Sequence, residues 1–159
     1  MGRDKPCPYR FEIMSVNEHE LYRQALLEHV RHPRNSGKLE SPDLRSVAVN
    51  PLCGDELEVT VALDGENIRD IRVQVRACAF TQASASLMSV LVSGISLAEA
   101  AALSQKFKKV MESASDQLPV ELDSLSPLLE INRQRSRVRC VLLSWEALND
   151  CIAERRQLS

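Results

Sequence analysis

Leu57-Glu58-Val59-Thr60-Val61-Ala62-Leu63-Asp64-Gly65, followed shortly by Ile71-Arg72-Val73-Gln74-Val75-Arg76, is the stretch that decides the fold. Successive side chains of an extended chain point to opposite faces, so Leu57, Val59, Val61 and Leu63 share one side. Glu56, Glu58 and Thr60 share the other. Ile71, Val73 and Val75 repeat the alternation against Asp70, Arg72, Gln74 and Arg76. Asp64-Gly65 between the two runs is a strong hairpin signal, because a tight turn needs residues that accept positive φ. A shorter strand is expected around Ser46–Val49. The three together predict a small antiparallel sheet with one buried face.

Outward from this sheet the period changes to helical. Glu18 to Arg31 carries Leu21, Ala25, Leu26 and Val30 as an apolar stripe. His32-Pro33 ends it, since proline disfavours a helical residue before it, and Asn35-Ser36-Gly37 supplies a turn. Thr81 to Ser93 predicts a helix stopped by Gly94. Ser96-Leu97-Ala98-Glu99 has the form of a capping box and opens another, to about Ser113. A polar stretch with Pro119 follows, then a short helix near Leu125–Asn132. A last helix is expected to open at Cys140 and run to about Arg156. The reading is α+β: a small three-stranded antiparallel sheet packed against several α-helices. Residues 16–159 form one domain in this reading, behind a flexible N-terminal tail at 1–15 that contains Cys7 and a possible alternative start at Met14.

Composition excludes several functions. The 159 residues are 44% hydrophobic and 26% charged, as in an ordinary globular domain. A net charge of −2 argues against nucleic acid, which calls for a basic face. No apolar run reaches the length of a membrane span, and no signal peptide opens the chain. No membrane role and a cytoplasmic location are therefore expected. Five cysteines, an odd number, point in a reducing compartment to thiol or metal chemistry more than to a disulfide framework.

Three of those cysteines, Cys53, Cys78 and Cys140, fall where the local structure is expected to switch, and Asp55 follows the first. Thiolates on turns and helix starts are free to converge on one metal. Gly54 permits the tight backbone that turns Cys53 and Asp55 towards one point. Cys78 and Cys140 are each expected at a helix start, where the dipole favours thiolate. Three thiolates and one carboxylate satisfy a tetrahedral Zn²⁺ and equally suit iron. Other candidates recede. His19, His29 and His32 sit in or beside the first helix, with His29 a surface or packing residue. Cys151 lies roughly 16 Å along the last helix from Cys140, too far to share its metal. Trp145 is expected to anchor the last helix in the core.

The contexts of these residues carry a resemblance. Leu21-Tyr22-Arg23-Gln24, His32-Pro33-Arg34-Asn35, Asn50-Pro51 with Cys53-Gly54-Asp55, Ala83-Ser84-Ala85-Ser86, and Cys140 with Leu143-Ser144-Trp145 and Ala147-Leu148 occur in this order. The chain resembles the IscU/SufU/NifU-N family of iron–sulfur cluster assembly proteins from about Leu21 to Ala153. Within it the chain is similar to the SufU branch. The segment between Cys78 and Cys140 is longer than in IscU-like proteins, and Arg139 stands where those carry histidine. Arg135-Ser136-Arg137-Val138-Arg139 replaces their chaperone-recognition motif. Ala77 departs from the glycine usual before the second cysteine.

The resemblance implies zinc held by Cys53, Asp55, Cys78 and Cys140. It implies persulfide sulfur accepted on Cys53 from a cysteine desulfurase, with Arg137 facing that partner, and onward delivery to iron–sulfur acceptor proteins. The runner-up is a scaffold that assembles and transfers a [2Fe–2S] cluster on the same ligands, with Cys140 as the alternative sulfur acceptor. A structural zinc domain is a third reading. A zinc hydrolase is disfavoured, because four ligands leave no open position for water and no general base stands by. No turnover independent of a desulfurase is expected.

Overall fold

The computed structural model describes residues 8–158. The chain runs α1 (Pro8–Arg31), β1 (Leu44–Asn50), β2 (Asp55–Asp64), β3 (Asn67–Arg76), α2 (Ala79–Val92), α3 (Leu97–Ser113), a 3-10 segment (Val120–Ile131) and α4 (Arg135–Leu158). It is the expected α+β architecture. Helix α1 begins earlier than Glu18, with a proline at the first helical position, where a missing N–H costs nothing. Part of the expected tail, residues 1–7 with Cys7, lies outside the described residues.

The three strands form one antiparallel sheet in the order β1-β2-β3. Leu57, Val59 and Val61 point inward, opposite Ala48, Ser46 and Leu44 of β1 and Val75, Val73 and Ile71 of β3. Asp64 pairs with Asn67 across the turn Gly65-Glu66, and Gly65 takes φ +64°. Thr60 departs from expectation. It lies on the outer face yet is buried, because the chain after α1 reaches over the sheet and Leu39 N–H donates to Thr60 Oγ1 at 3.1 Å.

Helices α2 and α4 cover the inner face, and their interface depends on small side chains. Ala83, Ser84, Ala85 and Ser86 are all buried, and Ser84 Oγ donates to the Val141 carbonyl at 2.6 Å. On the other side of α2, Ser86 Oγ accepts from Arg34 N–H at 2.8 Å and lies 2.7 Å from His29 Nδ1. Asn35 adopts φ +53° and its amide donates to Ser89 Oγ at 3.0 Å. These contacts explain why His-Pro-Arg-Asn and Ala-Ser-Ala-Ser occur in one chain: each is half of the joint between α1 and α2. The capping box of α3 is present, with Ser96 and Glu99 each bonding the other's backbone. Trp145 is buried and packs on Phe107, ring centroids 5.4 Å apart. Among the described residues, no helix is long and apolar enough to cross a membrane.

The α1–α2 joint has a pH consequence. Burial lowers the pKa of His29, the nearby Arg34 lowers it further, and Glu28 opposes them. A histidine with a lowered folded pKa stays neutral in the fold where the unfolded chain already binds a proton, so its stability is present above the ordinary value of 6.5 and falls away below it. His29→Gln should therefore flatten the decline in stability between about pH 7 and pH 5, as read by urea unfolding across that range. An unchanged decline would show that other groups cause it.

Candidate metal centre

Asn50 pairs with Asp55 at the end of the β1–β2 ladder, so Pro51-Leu52-Cys53-Gly54 is a hairpin loop. Its shape comes from Asn50. The Asn50 carbonyl accepts from Cys53 N–H at 3.3 Å and Gly54 N–H at 2.9 Å, while its side-chain oxygen accepts from Leu52 N–H at 3.2 Å. Pro51 favours extended backbone in Asn50 before it. Gly54 takes φ +74°, a conformation that side chains with a Cβ rarely adopt. The result is an exposed Cys53 beside a buried Asp55.

Cys78 is the N-cap of α2, in extended conformation (φ −68°, ψ 169°), and its own side chain does not cap the helix. Asp55 does so from the neighbouring strand. Cys78 N–H donates to Asp55 Oδ1 at 3.0 Å, and the Cys78 thiol lies 3.3 Å from Oδ2. Thr81, in the first turn of α2, donates its hydroxyl to the same Oδ2 at 2.7 Å. Burial pushes the Asp55 carboxyl up, but the hydrogen bonds from Thr81, Cys78 and Cys53 outweigh it and leave the pKa lowered. The carboxylate is held ionised.

Cys140 requires a correction. It does not open the last helix. Helix α4 begins at Arg135, so Cys140 is in its second turn, because Val138, Val141, Leu142 and Trp145 continue one buried stripe from the helix start. It therefore gains little from the helix dipole, which fades beyond the first turn. Burial, with the neighbouring Cys53 and Cys78, pushes its thiol up to about 12.

The structure brings Cys53, Asp55 and Cys140 together, with their donor atoms all within 4.8 Å of one another. Cys78 adjoins this group through Asp55. Cys53 Sγ and Cys140 Sγ are 3.7 Å apart. Two thiolates bound at about 2.3 Å to one tetrahedral zinc stand roughly 3.8 Å apart, so the Cys53–Cys140 pair already has the spacing such an ion sets, while the Cys78 sulfur stands outside the cluster of the other three donors. Cys151 is buried elsewhere, with its sulfur towards the Val59 carbonyl and its pKa pushed up to about 12 by burial. His19 pairs with Glu130, and His29 serves the α1–α2 joint. Arg137 is half-buried, its guanidinium 5.0 Å from the centre of the Phe80 ring. Thr81 is the site residue that sequence reasoning missed. Its one local signal, a place three residues after Cys78 at a helix start, does not by itself set it apart from an ordinary helix-start threonine.

Asp55→Ala is expected to leave the protein folded, at a cost of about 1–3 kcal/mol for the Cys78 N–H it strands. With Asp55 in a metal's ligand set, metal release to a chelator should be faster in this variant, because the set loses its oxygen donor. Collapse of the fold on this change would make Asp55 chiefly a helix cap, and an unaltered release rate would remove it from the ligand set.

Residues 21–154 match the family of the NifU-like N terminal domain. The zinc-dependent sulfurtransferase SufU of Bacillus subtilis (strain 168) is 31% identical over 143 residues, covering 88% of this chain and 95% of that protein. The iron–sulfur cluster assembly scaffold protein IscU of Streptococcus pyogenes serotype M1 is 30% identical over 132 residues, covering 83% of this chain and 82% of that one. Among solved structures, the N-terminal part of a NifU-like protein from Brucella abortus shares the fold, with a TM-score of 0.79 at 23% identity over 85% of this chain and 94% of that one.

Proposed function

This chain belongs to the NifU-like N terminal domain family, and from that premise we propose that it serves iron–sulfur cluster assembly as a zinc-containing sulfur acceptor, receiving persulfide sulfur from a cysteine desulfurase in the cytoplasm. The metal ligands are Cys53, Asp55, Cys78 and Cys140. The observation that carries the reading is the unequal exposure of the clustered sulfurs. Cys53 is exposed on a hairpin loop, whereas Cys140 is 2% exposed. A sulfur delivered by another protein has to meet an accessible thiol, and Cys53 is the one the loop offers. The same cluster includes a hard oxygen donor, easier to displace than a thiolate.

Bound zinc would supply a positive charge that keeps its cysteines as thiolates near neutral pH. The chain's own residues do the rest. Asn50 and Gly54 hold Cys53 outward at the loop, and Leu52 beside it, 80% exposed, leaves a partner unobstructed access. The Cys53 sulfur attacks the outer sulfur of the desulfurase persulfide. A new bond forms between those two sulfurs, the donor's S–S bond breaks, and the donor cysteine leaves as thiolate with the bonding electrons. Arg137, its guanidinium over the Phe80 ring and three residues from Cys140, is in this reading the residue that meets the desulfurase. The sulfur then passes to downstream iron–sulfur proteins.

Incubation with a cysteine desulfurase and cysteine without air, followed by mass spectrometric mapping, tests the assignment. Persulfide on Cys53 with metal retained is expected. The relative from Streptococcus pyogenes is named a scaffold. Label chiefly on Cys140, followed by iron-dependent cluster colour on the chain itself, would favour that second reading on the same ligands.

A further inference from the structure

We propose that Thr81 is a positioning residue for the metal centre: its hydroxyl holds Asp55 in place for the ion and passes its hydrogen bond to the Cys140 carbonyl when the carboxylate lets go. The inference rests on the ligand set proposed above. Thr81 is fully buried. Its oxygen lies 2.7 Å from Asp55 Oδ2, 3.1 Å from the Cys140 carbonyl oxygen and 3.5 Å from Cys78 Sγ. It thus touches residues from the hairpin strand, the start of α2 and the second turn of α4, the three elements that build the site.

A hydroxyl has one proton to donate. The two oxygen acceptors compete for it, and the shorter, charge-assisted bond to the carboxylate wins while Asp55 faces α2. Cys78 N–H fixes the other carboxylate oxygen at 3.0 Å. A carboxylate held at both oxygens keeps one orientation, yet still has lone pairs free for a metal, since each oxygen carries two. Partners of this kind set the orientation and basicity of metal-binding carboxylates.

The second acceptor matters when Asp55 moves. In a dry site, a donor abandoned by its carboxylate would be left without a partner, and that penalty would resist release. Thr81 avoids it by turning its O–H about the Cβ–Oγ1 bond, because the Cys140 carbonyl is already within reach of the unmoved oxygen. The hydroxyl therefore both orients the oxygen ligand and lets it depart.

Zinc affinity, measured by competition with a chromophoric chelator, tests this without any sulfur-transfer assay. Thr81→Val preserves shape and deletes the hydroxyl, whereas Thr81→Ser preserves the hydroxyl. The expected result is zinc binding weakened by about 10–100-fold in Thr81→Val and close to wild type in Thr81→Ser. In an Asp55→Ala background, Thr81→Val should add nothing further, since the two act through one contact. If circular dichroism shows that valine is not accommodated, Thr81→Ala deletes the same hydroxyl in less space. Wild-type affinity in the hydroxyl-deleted variant, or an equal loss with and without Asp55, would overturn the positioning role alone. Failure of the wild-type chain to take up zinc would overturn the ligand set, and this role with it.

Discussion

Cys53→Ser should bring sulfur acceptance down by on the order of a hundredfold or more, because a serine hydroxyl is a poor nucleophile at its own pKa. The thiolate is the attacking species in persulfide exchange, and no other clustered sulfur is as accessible. Cys78 is half-buried and Cys140 is buried. The variant should remain folded, since Cys53 lies in an exposed hairpin loop and its sulfur, besides its hydrogen bond to Asp55, makes long contacts, 3.7 Å to Cys140 Sγ and 3.9 Å to the Asn50 carbonyl. Persulfide content and the stimulation of desulfurase turnover should fall together. Undiminished labelling of the variant would move the acceptor to another residue.

Trp145→Ala should destabilise the fold by about 3–5 kcal/mol, a large fraction of the roughly 5–15 kcal/mol available to a domain. Trp145 is 1% exposed and packs on Phe107, which is itself fully buried in α3. Removing the ring opens a cavity between α3 and α4 and takes away the tilted aromatic pair. The same helix carries Cys140, so loosened packing should also weaken metal retention. Urea unfolding of the metal-free protein measures the first effect separately from the second. A loss below about 1 kcal/mol would mean that the site collapses around the missing ring, contrary to the packing described.

Much of the fold was legible because its signals are local. The alternation of Leu57, Val59 and Val61, the Gly65 turn and the Ser96–Glu99 capping box each depend on residues within a few positions of one another. The start of α4 was not, because Arg135-Ser136-Arg137-Val138-Arg139 is mostly polar and carries helical periodicity only when Val138 is joined to Val141 and Trp145. Thr60 reads as solvent-facing in any strand pattern, and only the passage of Leu39 over the sheet buries it.

The site divides the same way. Cys53, Gly54 and Asp55 form one local motif whose turn chemistry is visible in the residues. Their meeting with Cys140 is a property of the tertiary fold, which carries α4 across the end of the β1–β2 hairpin. Thr81 went unread for the same reason. A threonine at a helix start is ordinary, and only the proximity of Asp55 and the Cys140 carbonyl gives it a task.

The central claim is that three cysteines and one aspartate hold a single ion. Zinc-edge X-ray absorption on protein purified without air, with the metal content of the same sample, tests it most directly. The expected result is one ion per chain, ringed by three sulfurs at about 2.3 Å and one oxygen at about 2.0–2.2 Å, with the oxygen signal altered in Asp55→Ala. A chain that holds no metal, or an ion with fewer than three sulfur neighbours, would contradict it.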